Sequence, residues 1–390
     1  MGKTAKEQKE RFENIYKLID EQYVGMDHQL FRLAWAAVHG HLLGFKSWLL
    51  LVAPPSTGKT EGVLESISSL QEVKVIDKLT EHTLISGMYK AKTPGVLEKA
   101  PFGGKETRDG DKTIYSGGDG ILVFKDFSTV SGMKHESRGE LFSQLRRIHD
   151  GQLADNWGTG ESKLWSGRVS VIAASTPAID NFPTFEQELG ARFLRIRGAR
   201  VGLESARKAI ENLGTESAFH KKLHQLMEPI FANALRQTIS IKTKQTDQLS
   251  GLAELVAVGR GVVVIKDGEV VKTPEPEGPG RVAKELATLA KALAALEGRR
   301  VVLEKDVIDV CRVALDTLPQ NRCKLLLAAV APEEIDLTGT DLPRRAGEWA
   351  YEQLYELKLL SSKKPLSLGI RGTEIMNDAG IEKIVMKFTK

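Results

Sequence analysis

The chain has 390 residues, long enough for two or three domains, with the apolar and charged content of an ordinary water-soluble globular protein. Its formal charge of +4 is too small to demand a polyanionic partner, because a basic face must be found locally and not in the total. Two cysteines, Cys311 and Cys323, with no CxxC pair and no suitably spaced histidine, point away from a disulfide framework and from a zinc site, so a reducing cytoplasm is expected. The N-terminal "MGKTAKEQKERFE" lacks the apolar stretch of a signal peptide. The longest apolar run, "WLLLVA" at 48–53, is far too short to span a bilayer, so no membrane association is expected.

Phe12, Ile15, Tyr16, Ile19 and Tyr23 recur at helical spacing among charges and predict an amphipathic helix ending near Gly25, followed by a second helix over 28–43. Four short apolar runs come next: "WLLLVA" (48–53), "VKVID" (73–77), "GILVF" (120–124) and "RVSVIAA" (168–174). Separated by helical or polar stretches, they predict buried parallel strands in an α/β core. From about 201 the pattern changes to long amphipathic helices, among them 281–298 and 304–318. A hairpin is expected at 261–272, turning on Asp267-Gly268. Residues 333–390 show a helix with Ala346, Ala350, Leu354 and Leu357 on one face and then a Lys-Lys-Pro turn, the pattern of a small winged helix.

The strongest motif is "APPSTGKT" (53–60), which follows a strand and opens a helix, the context of a Walker A phosphate loop. Pro55, Ser56, Thr57, Gly58, Lys59, Thr60 and Glu61 are the expected nucleotide contacts. Backbone N–H groups cradle the phosphates, Lys59 reaches the terminal ones and the Thr60 hydroxyl ligates Mg²⁺, so ATP and Mg²⁺ are the expected ligands. Ala53 stands where the motif has its first glycine.

With these motifs in this order the chain resembles the AAA+ ATPases over about 45–320, in particular the group with an insert in the second helix and a hairpin before sensor 1. That group includes minichromosome-maintenance helicases and MoxR-type ATPases. The segment 79–101 resembles the insert. "GILVFKDF" resembles the family's "GVLFIDEF", which puts Lys125 at the Walker B aspartate position and Asp126 at the glutamate position. Asp126 is then the carboxylate that holds Mg²⁺ through water or polarises the attacking water; otherwise the site binds ATP and hydrolyses it poorly. A lysine aimed at Mg²⁺ is repelled by it, so Lys125 is expected to turn away or to reach a phosphate or a neighbouring carboxylate.

The segment 138–177 resembles the helix, hairpin and sensor 1 strand, with Thr176 at the sensor 1 asparagine position. Trp157 and Lys163 in the hairpin would contact DNA in a central pore, though Trp157 could equally cap the hairpin against its own domain. "LGARFLRIR" (189–197) resembles the arginine-finger segment, with Arg192 as the finger, and Arg281 falls at the sensor 2 position. The resemblance thus implies an α-helical lid and a C-terminal winged helix behind a P-loop AAA+ core with a parallel sheet. The segments are 1–25 (N-terminal helix), 26–200 (core), 201–332 (lid with β-hairpin) and 333–390 (winged helix). It also implies a homo-oligomeric ring in the family's hexameric form, because finger and phosphate loop lie on different subunits. DNA is the expected substrate, through Arg344, Arg345, Lys363 and Lys364 as well as the hairpin. The alternatives are a MoxR-like remodeller of a protein partner and a nucleotide-gated switch with weak hydrolysis.

Overall fold

The computed structural model describes residues 2–80, 82–85, 94–156, 162–181, 192–232, 238–266, 269–273 and 275–389. Trp157, part of the 79–101 insert and the Asp267-Gly268 turn lie outside the described residues. The chain forms two compact units, Met1–Phe193 with Arg197–Thr238 and Ala295–Arg299, and Leu194–Ile196 with Ile239–Ala294 and Arg300–Lys390.

The first unit opens with α1 (Gly2–Gln22) and α2 (His28–Leu42). Asp27 caps α2, its carboxylate accepting from Gln29 N–H at 3.0 Å and so satisfying a donor that has no partner inside the helix. The sheet contains β1 (Trp48–Val52), β2 (Val73–Ile76), β3 (Lys105–Asp109), β4 (Lys112–Phe124), β5 (Gln152–Asn156) and β6 (Ser162–Ser175). Its parallel strands run in the order β2-β4-β6-β1, with β3 antiparallel to β4 and β5 antiparallel to β6. The register Trp48↔Val171, Val123↔Ile172 and Ile76↔Phe124 brings the C-terminal ends of four strands to one edge. Beyond β1, Gly198 N–H donates to Val52 O at 2.9 Å.

The expected strands at 120–124 and 168–174 are only the apolar ends of strands that begin at Lys112 and Ser162. Their polar first halves carry no apolar run, yet pair in parallel with each other while β3 and β5 fold back on them. Glycines permit this close approach: a Cβ at Gly167 of β6 would lie 2.3 Å from Gly118 O of β4, and one at Gly118 would lie 1.7 Å from Phe102 O, a carbonyl that accepts from Trp165 Nε1 at 2.7 Å.

Alternate β1 residues point to opposite faces. Trp48, Leu50 and Val52 join Phe124, Val171 and Ala173 in a core closed by Leu141, Leu145 and Ile148 of α4 (His135–His149). Helix α2 packs on β1 and β6, burying Phe31, Ala34, Trp35 and Val38. A π-wound segment, Lys59–Leu64, continues directly into α3 (Glu65–Ser68), and α5 (Leu203–Glu211) and α6 (Glu216–Ala232) complete the unit.

Strand β7 (Leu194–Arg197) is where the chain enters the second unit and returns. That unit holds α7 (Thr243–Gly259), the hairpin β8 (Val264–Lys266) and β9 (Glu269–Lys272), α8 (Gly280–Leu296), α9 (Glu304–Thr317) and α10 (Gln320–Val330). Then come α11 (Arg344–Glu356), the hairpin β10 (Leu360–Lys363) and β11 (Leu366–Leu368), and α12 (Ile370–Asp378). Arg322 of α10 ties α7 to α11 by donating to Gly259 O, Gly261 O and Gln353 Oε1. No helix among the described residues is long and apolar enough to cross a membrane.

Candidate nucleotide site

β1 runs into the loop 53–58 and then into the helix that begins at Lys59. Two residues of the loop are left-handed, Ser56 (φ 59°) and Gly58 (φ 73°), a backbone alternation that turns successive N–H groups into one concavity. The first helical donors, Gly62 N–H and Val63 N–H, both go to Gly58 O, at 2.8 and 3.1 Å. The N–H groups preceding them therefore have no acceptor inside the helix and are available to an anion. Glycine suits position 58: its left-handed φ is one that side chains rarely adopt, and a Cβ would have to displace the Met26 methyl, 2.2 Å away.

The Lys59 side chain is folded back on the loop, its ammonium donating to Ala53 O at 2.5 Å and Pro54 O at 2.7 Å. Burial lowers its pKa, opposed by the nearby Asp126 carboxylate. A cation held on carbonyls above an electropositive cradle is placed to exchange those carbonyls for phosphate oxygens. Thr57 Oγ donates to Pro54 O at 2.8 Å and stiffens the same turn.

Two further strand ends reach this place because the register aligns them. Lys125 and Asp126 follow β4, and Thr176 follows β6; all three line a cleft of about 520 Å³ with residues 55–61 of the loop. Asp126 caps the 3-10 turn Phe127–Gly132, with Oδ1 accepting from Ser128 N–H at 2.9 Å and from the Ser128 hydroxyl. Lys125 pairs with Asp77 Oδ1 at 2.8 Å, just past the end of β2. This is the neighbouring-carboxylate outcome expected for a lysine at that position. The described cleft thus offers a divalent ion the Thr60 hydroxyl and the Asp126 carboxylate, donors suited to an ion that arrives with phosphates. No cluster of three or more His, Cys, Asp or Glu side chains placed to hold a metal occurs among the described residues.

The rest of the cleft carries no local motif. Tyr23 and Met26, from the turn between α1 and α2, stand over the loop, and Ser205 and Ala209 of α5 line the cleft as well. Tyr23 packs edge-on against Phe219 of α6 at 5.5 Å. Burial, and then the carboxylates of Glu61, Glu216 and Glu65, push its phenol pKa far up, so it stays protonated as a donor. His220 and His224 of α6 each place Nε2 on a backbone carbonyl of the loop's helix, Glu61 O at 2.9 Å and Glu65 O at 2.7 Å. A carbonyl only accepts, so both rings carry hydrogen on Nε2.

The other expected site residues fall elsewhere. Arg192 is 8 % exposed and pairs with Asp150 Oδ2 at 3.1 Å. Burial alone would raise the Asp150 pKa, but bonds from His149 and Arg192 outweigh it and hold the carboxyl below the usual range. Lys163 reaches Glu98 Oε2 at 2.7 Å, and Glu98 is only 3 % exposed, so this lysine is tied down one residue from the Asn156–Ser162 pair that ends the hairpin's ladder. In the second unit, Arg281 is exposed in the first turn of α8. Arg344 and Arg345 are exposed at the start of α11, Arg344 bonded to Glu348 at 3.1 Å, and Lys363 lies 4.7 Å from the centre of the Tyr351 ring. Lys364 is exposed beside it.

One arrangement in the first unit has the residues of a hydrolytic triad. His41 Nδ1 lies 2.9 Å from Ser170 Oγ and its Nε2 2.9 Å from Asp119 Oδ1. Ser170 is 0 % exposed and accepts from Ser47 N–H at 3.1 Å, so this network joins α2 to the sheet and offers no nucleophile to a substrate. The chain matches no protein-family model, and no curated protein matches it significantly.

Proposed function

We propose that the first unit binds ATP and that the chain is a ring-forming ATPase of the AAA+ type. The supporting observation is the cleft where the helix beginning at Lys59 meets the ends of β4 and β6, with Lys59, Asp126 and Thr176 on its walls. On this reading loop N–H groups and Lys59 grip the phosphates, Thr176 reads the terminal one and Asp126 orients the attacking water. A Mg²⁺ ion arriving with the nucleotide would be held by Thr60 and Asp126 and would neutralise charge on the β- and γ-phosphate oxygens. Helices α7–α10 then take the role of the lid and α11 with the β10–β11 hairpin that of the winged helix. Arg281 takes the role of second sensor. Arg192 is the finger for a neighbouring protomer, most simply in a hexamer, and must leave Asp150 to serve it. The work driven by the cycle is DNA translocation, unwinding or loading, which the exposed Arg344, Arg345, Lys363 and Lys364 support.

A fluorescent ATP analogue titrated against wild type and Lys59→Ala tests the binding step. Loss of one charge-assisted phosphate contact is expected to weaken binding by about 30-fold or more. Equal affinities would remove Lys59, and with it the site. Asp126→Asn is expected to keep binding and lose turnover. A second reading, a nucleotide-gated switch with weak hydrolysis, is favoured by the Lys125–Asp77 pair and by the engagement of Asp126 as a cap. It predicts ATP-dependent oligomerisation with negligible turnover in the wild type, with and without DNA. DNA-indifferent turnover would instead point to a protein substrate.

A further inference from the structure

Lys125 is a cationic residue of the cleft to which the ATPase reading assigns no role. It lines the same cavity as Lys59, Asp126 and Thr176, yet its ammonium is parked on Asp77. The pair is open to solvent, the lysine side chain 42 % and the aspartate 78 % exposed, and exposed ion pairs of this kind contribute little. A triphosphate entering the cleft brings several negative charges and multiple acceptor oxygens, and a charge-assisted contact to phosphate is stronger than a solvated lysine–aspartate contact. The flexible stem of lysine allows the ammonium to swing from one partner to the other. Asp126, meanwhile, is the carboxylate beside Lys125, and its Oδ1 already accepts two bonds from Ser128.

We infer that Lys125 is a phosphate-binding residue that supplies, from the protein itself, the positive charge a divalent ion would otherwise bring, so that nucleotide binds this cleft without Mg²⁺. The inference rests on the ATP reading above. On binding, Lys125 exchanges Asp77 for a phosphate oxygen while Lys59 exchanges Ala53 O and Pro54 O for another. Two lysines and the helix N-terminus then compensate the triphosphate, so that the Mg²⁺ ion assigned above to Thr60 and Asp126 serves turnover and, repelled by Lys125, adds little to affinity.

The test is titration of the 390-residue chain with a fluorescent ATP analogue, once in EDTA and once in excess Mg²⁺. Wild type is expected to show Kd values within about threefold of each other in the two buffers. Lys125→Met, which keeps the apolar stem, is expected to lose about tenfold in EDTA, equivalent to about 1.4 kcal/mol, and to recover in Mg²⁺. Lys125→Asp, which places a second carboxylate beside Asp126, is expected to bind only with Mg²⁺. Asp77→Asn releases Lys125 without touching it and is expected to tighten metal-free binding. It serves as the independent variant if the position-125 proteins do not fold. Wild-type affinity that falls about 30-fold or more in EDTA, or metal-free binding unchanged in Lys125→Met, would overturn the inference and leave the ATP reading standing. Absence of wild-type binding in both buffers would overturn that reading and the inference together.

Discussion

Acidification should unfold the first unit through two histidines of α2. His39 and His41 are 4 % and 2 % exposed, and burial lowers the pKa of each from 6.5 to about 4. His41 also faces Arg168, which lowers its pKa further, and Asp119, which opposes the shift. The Nδ1 atom of His39 has no hydrogen-bond partner. The native state therefore holds both rings neutral, whereas the unfolded chain protonates them near pH 6.5. Because the folded pKa values are depressed, the stabilisation is complete above about pH 6.5 and is lost as the pH falls toward 4. The linkage amounts to about 2 kcal/mol for each ring at pH 5 and about 3 kcal/mol at pH 4, a large part of the stability of a typical domain. Urea unfolding followed by tryptophan fluorescence at pH 8, 6.5 and 5 measures it. The double variant His39→Leu/His41→Gln should show a much flatter pH dependence, whatever its absolute stability at pH 8. If wild type and double variant lost the same free energy between pH 8 and 5, to within about 1 kcal/mol, the rings would not be the acid-sensitive groups.

Gly58→Ala should cost about 1–2 kcal/mol for the left-handed backbone and displace the Met26 methyl, abolishing binding of the ATP analogue while the fold survives; undiminished affinity would mean that the loop is not the phosphate cradle. Replacing Arg344 and Arg345 together by alanine should weaken DNA binding at low salt, without sequence preference, and lower the slope of log K against log salt by about 2, read by fluorescence anisotropy. An unaltered slope would remove α11 from any DNA contact.

Much of the site was legible in the sequence because it is local. "APPSTGKT" between a strand and a helix is a contiguous backbone device, and the left-handed Gly58 and the exposed helix start follow from it. For Lys125 the sequence left three outcomes open, turning away, a phosphate or a neighbouring carboxylate, and the fold selects the third by setting Asp77 just past the end of β2. The polar halves of β4 and β6 were not legible, because strand pairing there is fixed by close backbone approach at Gly118 and not by an apolar run. Nor were Tyr23 and Met26, which reach the cleft from the α1–α2 turn, or Ser205, which reaches it from α5.

The sequence by itself determined an α/β chain with a glycine-bearing strand–loop–helix turn at 53–60, because hydrophobic periodicity and turn chemistry act over a few residues and need no partners. Only the tertiary structure decided which charges are free. Arg192 and Lys163 look alike in sequence to any exposed cation, but packing sets one against Asp150 and the other against the nearly buried Glu98. It leaves Lys125 on an aspartate open to water. The strength of an ion pair depends on its burial and its competing partners, and these are properties of the folded chain.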